Sequence, residues 1–166
     1  NPPPHEFREE QHYYALASQE PNIDEVKEAL EQIDNMENPE NVKQGIDFFK
    51  LHNPDTIRGL IIEATNINQI VKGNLLQIYN ETVLPKIQEL LEEVKTRLKT
   101  IHDYRPDSKL DKRTESQKQE CKDAMKYLSD NFPDKTQIST FLNIHMPEGD
   151  RDTALFTEKQ EYLFYC

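Results

Sequence analysis

The chain has 166 residues, with 31 acidic against 20 basic side chains and a formal net charge of −11. That length fits one domain, and it buries enough surface to fold without disulfide or metal staples. The acidity argues against a nucleic-acid binder, which needs Lys and Arg to displace counterions from phosphate, and the longest apolar runs are far too short to span a membrane.

The first segment, Asn1-Pro2-Pro3-Pro4, carries no Met and no apolar signal region, and the chain closes on Tyr165-Cys166. Both ends read as cuts, so the sequence is expected to be a fragment of a longer protein. Charge is uneven. Residues 1–40 hold 11 acidic and two basic side chains, whereas residues 41–166 hold 20 and 18. Residues 1–21 are therefore expected to form an acidic, partly extended segment, with 22–166 a single helical domain. Tyr13-Tyr14 near the start, and Tyr162, Phe164 and Tyr165 at the end, are aromatic clusters suited to closing a core or covering a site.

Helix signals then follow one another, with no strand alternation and only four glycines to make turns. Asn22 caps a helix with Val26, Ala29, Leu30, Ile33 and Met36 on one face. Asn38-Pro39 starts the next helix, with proline at the first position where its missing N–H is harmless. Val42, Ile46 and Phe49 form its apolar stripe. Asn53-Pro54-Asp55 repeats the device. Ile57, Leu60, Ile61, Ala64, Ile67, Val71, Leu75 and Ile78 then keep a helical period, predicting one long central helix near 54–82. Pro85 should break or kink it. A strongly amphipathic helix follows, through Ile87, Leu90, Leu91, Val94, Leu98 and Ile101.

The stretch 105–112 reads as a polar, basic loop. Thr114 or Ser116 caps a helix carrying Cys121, Ala124, Met125, Leu128 and Phe132. Phe132-Pro133-Asp134 leads into another with Ile138, Phe141, Leu142 and Ile144, and a last helix is expected over 152–165. The fold class is thus all-α, about seven helices in a bundle or short solenoid. Gly45, Gly59 and Gly73 recur every 14 residues, a weak repeat that matches no known helical-repeat signature. Gly59 and Gly73 lie inside the predicted long helix, where glycine is unfavourable, and so are candidates for a close helix approach or a pocket wall.

Chemistry-bearing motifs are sparse. Glu9 and His12 make one Glu-x-x-His pair, but a di-metal carboxylate bundle needs two. No Cys-x-x-Cys pair, phosphate loop or calcium loop is present, so no metal or cofactor is expected. Cys121 sits on an apolar stripe and reads as a small buried hydrophobe, and together with Cys166 it suits a reducing, cytoplasmic compartment. The sequon Asn80-Glu81-Thr82 has nothing beside it that favours secretion. Seven basic residues between Lys95 and Arg113 make Arg105, Lys109, Lys112 and Arg113 the candidate interaction surface.

The expected function is a non-enzymatic helical scaffold that binds another protein. The excess of Lys over Arg, with frequent Ile and Asn, matches the composition of AT-rich genomes and is compatible with a host-directed bacterial effector. The alternative is an enzyme or small-molecule binder, with a pocket between helices near Gly59, Gly73, Asn66, Asn68, Gln69 and Asn74. Membrane-surface binding through 95–113 is disfavoured by the three acidic residues in the same stretch.

Overall fold

A computed structural model describes residues 21–35, 38–104 and 111–146. Among these the fold is all-α, with helices α1 (Ile23–Asp34), α2 (Pro39–Phe49), α3 (Pro54–Glu63), α4 (Gln69–Ile78), α5 (Leu84–Asp103), α6 (Glu115–Asn131) and α7 (Thr136–His145). A π-helical turn, Tyr79–Val83, joins α4 to α5, so 69–103 is one uninterrupted helix. The helix expected over 152–165, like Met36, lies outside the described residues.

The chain divides into two compact units, Asn1–Tyr79 and Asn80–Cys166. In the first unit α1 packs against α2, α3 and α4, and α3 packs against α4. Its core contains Val26, Leu30, Ile33, Phe49, Ile57, Ile61 and Tyr79, all fully buried. In the second, α5 packs along α6. Ile87, Val94 and Ile101 meet a core that also includes Cys121, Ala124, Leu128, Phe132 and Phe141. The ring centroids of Phe132 and Phe141 lie 5.2 Å apart. The stripes read for α1, α5 and α6 supply much of the buried face, and Cys121 is buried as expected, whereas Val42, Ile46, Leu60, Val71 and Ile78 are only half-buried.

The helix starts follow the Asn pattern. Asn22 Oδ1 accepts from the Glu25 N–H at 2.8 Å, Asn38 Oδ1 from Glu40 at 3.0 Å, and Asn53 Oδ1 from Asp55 at 2.9 Å. Each satisfies an amide that the first helical turn leaves without an intrahelical acceptor. Thr114, rather than Ser116, caps α6 in a reciprocal box: its hydroxyl accepts from the Gln117 N–H at 3.1 Å, and Gln117 Oε1 accepts from the Thr114 N–H at 2.9 Å.

The long central helix is present, but its limits differ from the expected 54–82. The chain leaves the helix at Ala64, which is extended (φ −61°, ψ 130°). It re-enters after Asn68, whose Oδ1 accepts from the Val71 N–H at 2.9 Å. Lys72, only 9% exposed, reaches back to donate from Nζ to the Ile62 carbonyl at 2.8 Å. A lysine thus closes the C-terminal end of α3 while an asparagine opens α4. Thr65, Asn66 and Asn68 are poor helix formers whose side chains compete for backbone groups, so the break is locally favoured.

Pro85, expected to break or kink the helix, does not break it: it lies at the start of α5, and the helix departs from α geometry in the π turn just before it. Proline in a regular helix removes a donor and presses on the carbonyl four residues back. The wider π turn relieves that crowding and shifts the hydrogen-bond pairing by one residue.

Candidate functional site

Of the candidate cations, Lys112 and Arg113 fall among the described residues, while Arg105 and Lys109 lie outside them, as do Glu9, His12, Cys166 and the terminal aromatic clusters. Arg113 has a defined internal role. Its Nη1 donates to the Tyr104 carbonyl at 2.9 Å, at the C-terminal cap of α5. Its Nε and Nη2 form a fork on the Asp111 carboxylate at 2.9 and 2.8 Å. Asp111 Oδ1 also accepts the Arg113 N–H at 3.1 Å. A planar guanidinium is suited to this arrangement, because one group bridges a carboxylate and a carbonyl in fixed directions. The side-chain hydrogen bond from Arg113, and then the one from its backbone, hold the Asp111 carboxyl well below the usual range.

Lys118 also approaches Asp111, at 4.0 Å, and pairs with Glu115 at 3.3 Å. The lead-in to α6 is thereby fastened to the end of α5. Lys112, one residue from the clamp, is exposed, as is Lys99 near the end of α5. Lys95 is paired with Glu92 at 3.2 Å. Arg97 combines two contacts: its Nε donates to Glu93 at 2.7 Å, and its guanidinium carbon lies 4.9 Å from the Tyr127 ring centroid. Arg97 therefore holds α5 to α6 and is less available than its charge suggests.

On one side of α5, an open depression of about 490 Å³ is lined by Pro85, Gln88, Glu89, Glu92, Glu93 and Thr96. All six residues belong to one helix, so this is a surface hollow. In the sequence Glu92 and Glu93 stand out only as acidic residues ahead of Lys95, Arg97 and Lys99, and nothing there marks a hollow.

The glycines require a correction. A Cβ built on Gly59 or Gly73 meets nothing within 4 Å, so neither is a point of close helix approach. Gly45 is that point. A Cβ there would press into the buried Ile33 side chain and lie 3.3 Å from the Ala29 carbonyl. Near the expected pocket, Asn66, Gln69 and Asn74 are exposed, and Asn68 is occupied as the α4 cap.

Two features escaped the sequence reading. Lys50 is 4% exposed and paired with Asp47 at 2.8 Å. The fully buried Tyr79 stacks edge-on to Phe49, with centroids 5.5 Å apart, and its hydroxyl has no hydrogen-bond partner among the described residues.

Among the described residues no group of three His, Cys, Asp or Glu side chains is placed to hold a metal ion, and no helix is long and apolar enough to cross a membrane. Comparison with protein-family models, curated proteins and solved structures finds no match to this chain.

Proposed function

We propose that the protein is a non-enzymatic helical interaction module. It takes an acidic protein surface on the cations around the α5–α6 corner. The observation that supports this reading is the Arg113 clamp: the guanidinium is engaged with Asp111 and the Tyr104 carbonyl, which fixes the corner, while Lys112 and Lys99 remain exposed. Arg113 then orders the surface and the lysines meet the partner. A backbone held in place beneath the lysines leaves less to order on binding than a loose one. The Lys-, Ile- and Asn-rich composition extends the reading to a bacterial protein delivered into a host cell, with the partner a host protein.

Charge reversal of the two exposed lysines separates contact from fold. Lys99→Glu combined with Lys112→Glu should abolish salt-sensitive capture of specific proteins from lysate and leave the far-UV circular dichroism unchanged. Arg113→Ala should reduce both capture and thermal stability. Capture that survives the double reversal at low salt sinks the reading.

A further inference from the structure

The Tyr79–Val83 turn holds two opposed preferences. Tyr79 is fully buried and its hydroxyl has no hydrogen-bond partner among the described residues, and a buried polar group without a partner disfavours the arrangement that contains it. Burial, with Asp55 adding to it and Arg58 opposing, pushes the phenol well above its usual range and keeps it neutral. Two residues beyond the turn, Pro85 acts in the other direction. It has no N–H for the Glu81 carbonyl, and its ring crowds that carbonyl in a regular α-helix. The π form escapes this crowding. Tyr79 is further held by Phe49 and by Arg58, whose guanidinium carbon lies 5.8 Å from the ring centroid.

The sequence carries the same tension. Leu75, Tyr79, Val83, Ile87 and Leu91 are buried at a strict spacing of four. Steps of four drift by roughly 40° each around an α-helix at about 100° per residue, and a turn holding an extra residue absorbs part of that drift.

We propose that Tyr79–Val83 is a register switch. The turn exchanges between the observed π form and an α form, and the buried Tyr79 hydroxyl and Pro85 set the balance from opposite sides. In the α form Tyr79 leaves Phe49 and its hydroxyl reaches water. The full chain tests this by residue-resolved amide exchange and backbone chemical shifts. Tyr79→Phe keeps the ring and removes the orphan hydroxyl, so it should slow exchange at residues 80–84 severalfold while leaving α6 amides unchanged. Pro85→Ala restores the donor, so it should move the shifts of 79–83 toward α-helical values and alter the Tyr79 ring resonances. The double variant should return toward the π pattern, because the two changes act on one equilibrium. Slowing spread evenly over all helices in Tyr79→Phe, or an unchanged π pattern in Pro85→Ala, overturns the proposal.

Discussion

Gly45 and Gly59 have the same residue type, similar helical settings and opposite consequences. At Gly45 the neighbouring Ile33 is fully buried, so a Cβ there would have to displace a packed side chain. Gly45→Ala should therefore destabilise the first unit by about 1–3 kcal/mol, the usual range for overpacking. Gly59 and Gly73 face open space. Alanine there should stabilise by about 0.5–1 kcal/mol through helix propensity alone. Urea denaturation of the three single variants checks the order. The recurrence of glycine every 14 residues was visible in the sequence, but the packing partner was not, since it depends on how closely α2 crosses α1.

His52 supplies a pH dependence at the same scale. Its ring sits 5.1 Å from Phe48. Burial lowers its pKa below 6.5, and the negative charge of Glu25 opposes that shift. The folded state therefore resists protonating the imidazole more than the unfolded chain does. His52 contributes stability that is full above the ordinary value of 6.5 and is lost as the pH falls below it. Denaturation midpoints measured from pH 7.5 downward should decline, and His52→Gln should flatten that decline. A wild-type profile that stays level between pH 7.5 and 5 would remove His52 from the account.

Among elements, the starts of helices were legible because an N-cap is a local event. Asn22, Asn38 and Asn53 need only the backbone two or three residues ahead. Helix ends and joints were less legible, because their stabilising partners lie further away. Lys72 closes α3 from ten residues downstream, and nothing in its immediate neighbours marks it as buried. The apolar period also ran on through Ile67, which hid the break at 64–68. Pro85 was legible as a disturbance of the helix but not as one the helix absorbs. The rule that proline interrupts a helix assumes α geometry, and the π turn changes that geometry.

The α3–α4 joint carries its own test. Asn68→Ala should cost about 1 kcal/mol by loss of the cap. Lys72→Met keeps most of the buried stem but deprives the Ile62 carbonyl of its donor, and should cost a further ~1–3 kcal/mol. Amide exchange at the ends of α3 and α4 should rise in both variants, with the second unit unaffected. Equal loss of protection in α6 and α7 would show that the joint is not a local device.

For the molecule as a whole, the net charge of −11 described one end of the sequence more than its surface. On α5 and α6 both signs alternate and pair, as in Glu92–Lys95, Glu93–Arg97 and Lys126–Asp130. Exposed pairs of this kind add little stability. Their larger effect is on which charges remain available to a partner. Formal charge along 95–113 gave seven basic residues against three acidic ones and a candidate surface of Arg105, Lys109, Lys112 and Arg113. The structure divides that stretch into Arg97 and Arg113, committed to internal contacts, and Lys99 and Lys112, exposed to solvent. That division was not legible in the sequence, because the Tyr104 carbonyl that Arg113 reaches lies nine residues upstream and meets it only in the folded chain.

In the proposed function, the Arg113 clamp places Lys99 and Lys112 toward an acidic protein surface. The most direct test is capture from lysate, at low and high salt, by wild type and by the Lys99→Glu/Lys112→Glu variant, with Gly59→Ala as the folded control. The account predicts a defined set of proteins held by wild type and control at low salt, released at high salt and absent from the charge-reversed variant. The same set held by all three proteins regardless of salt would contradict it.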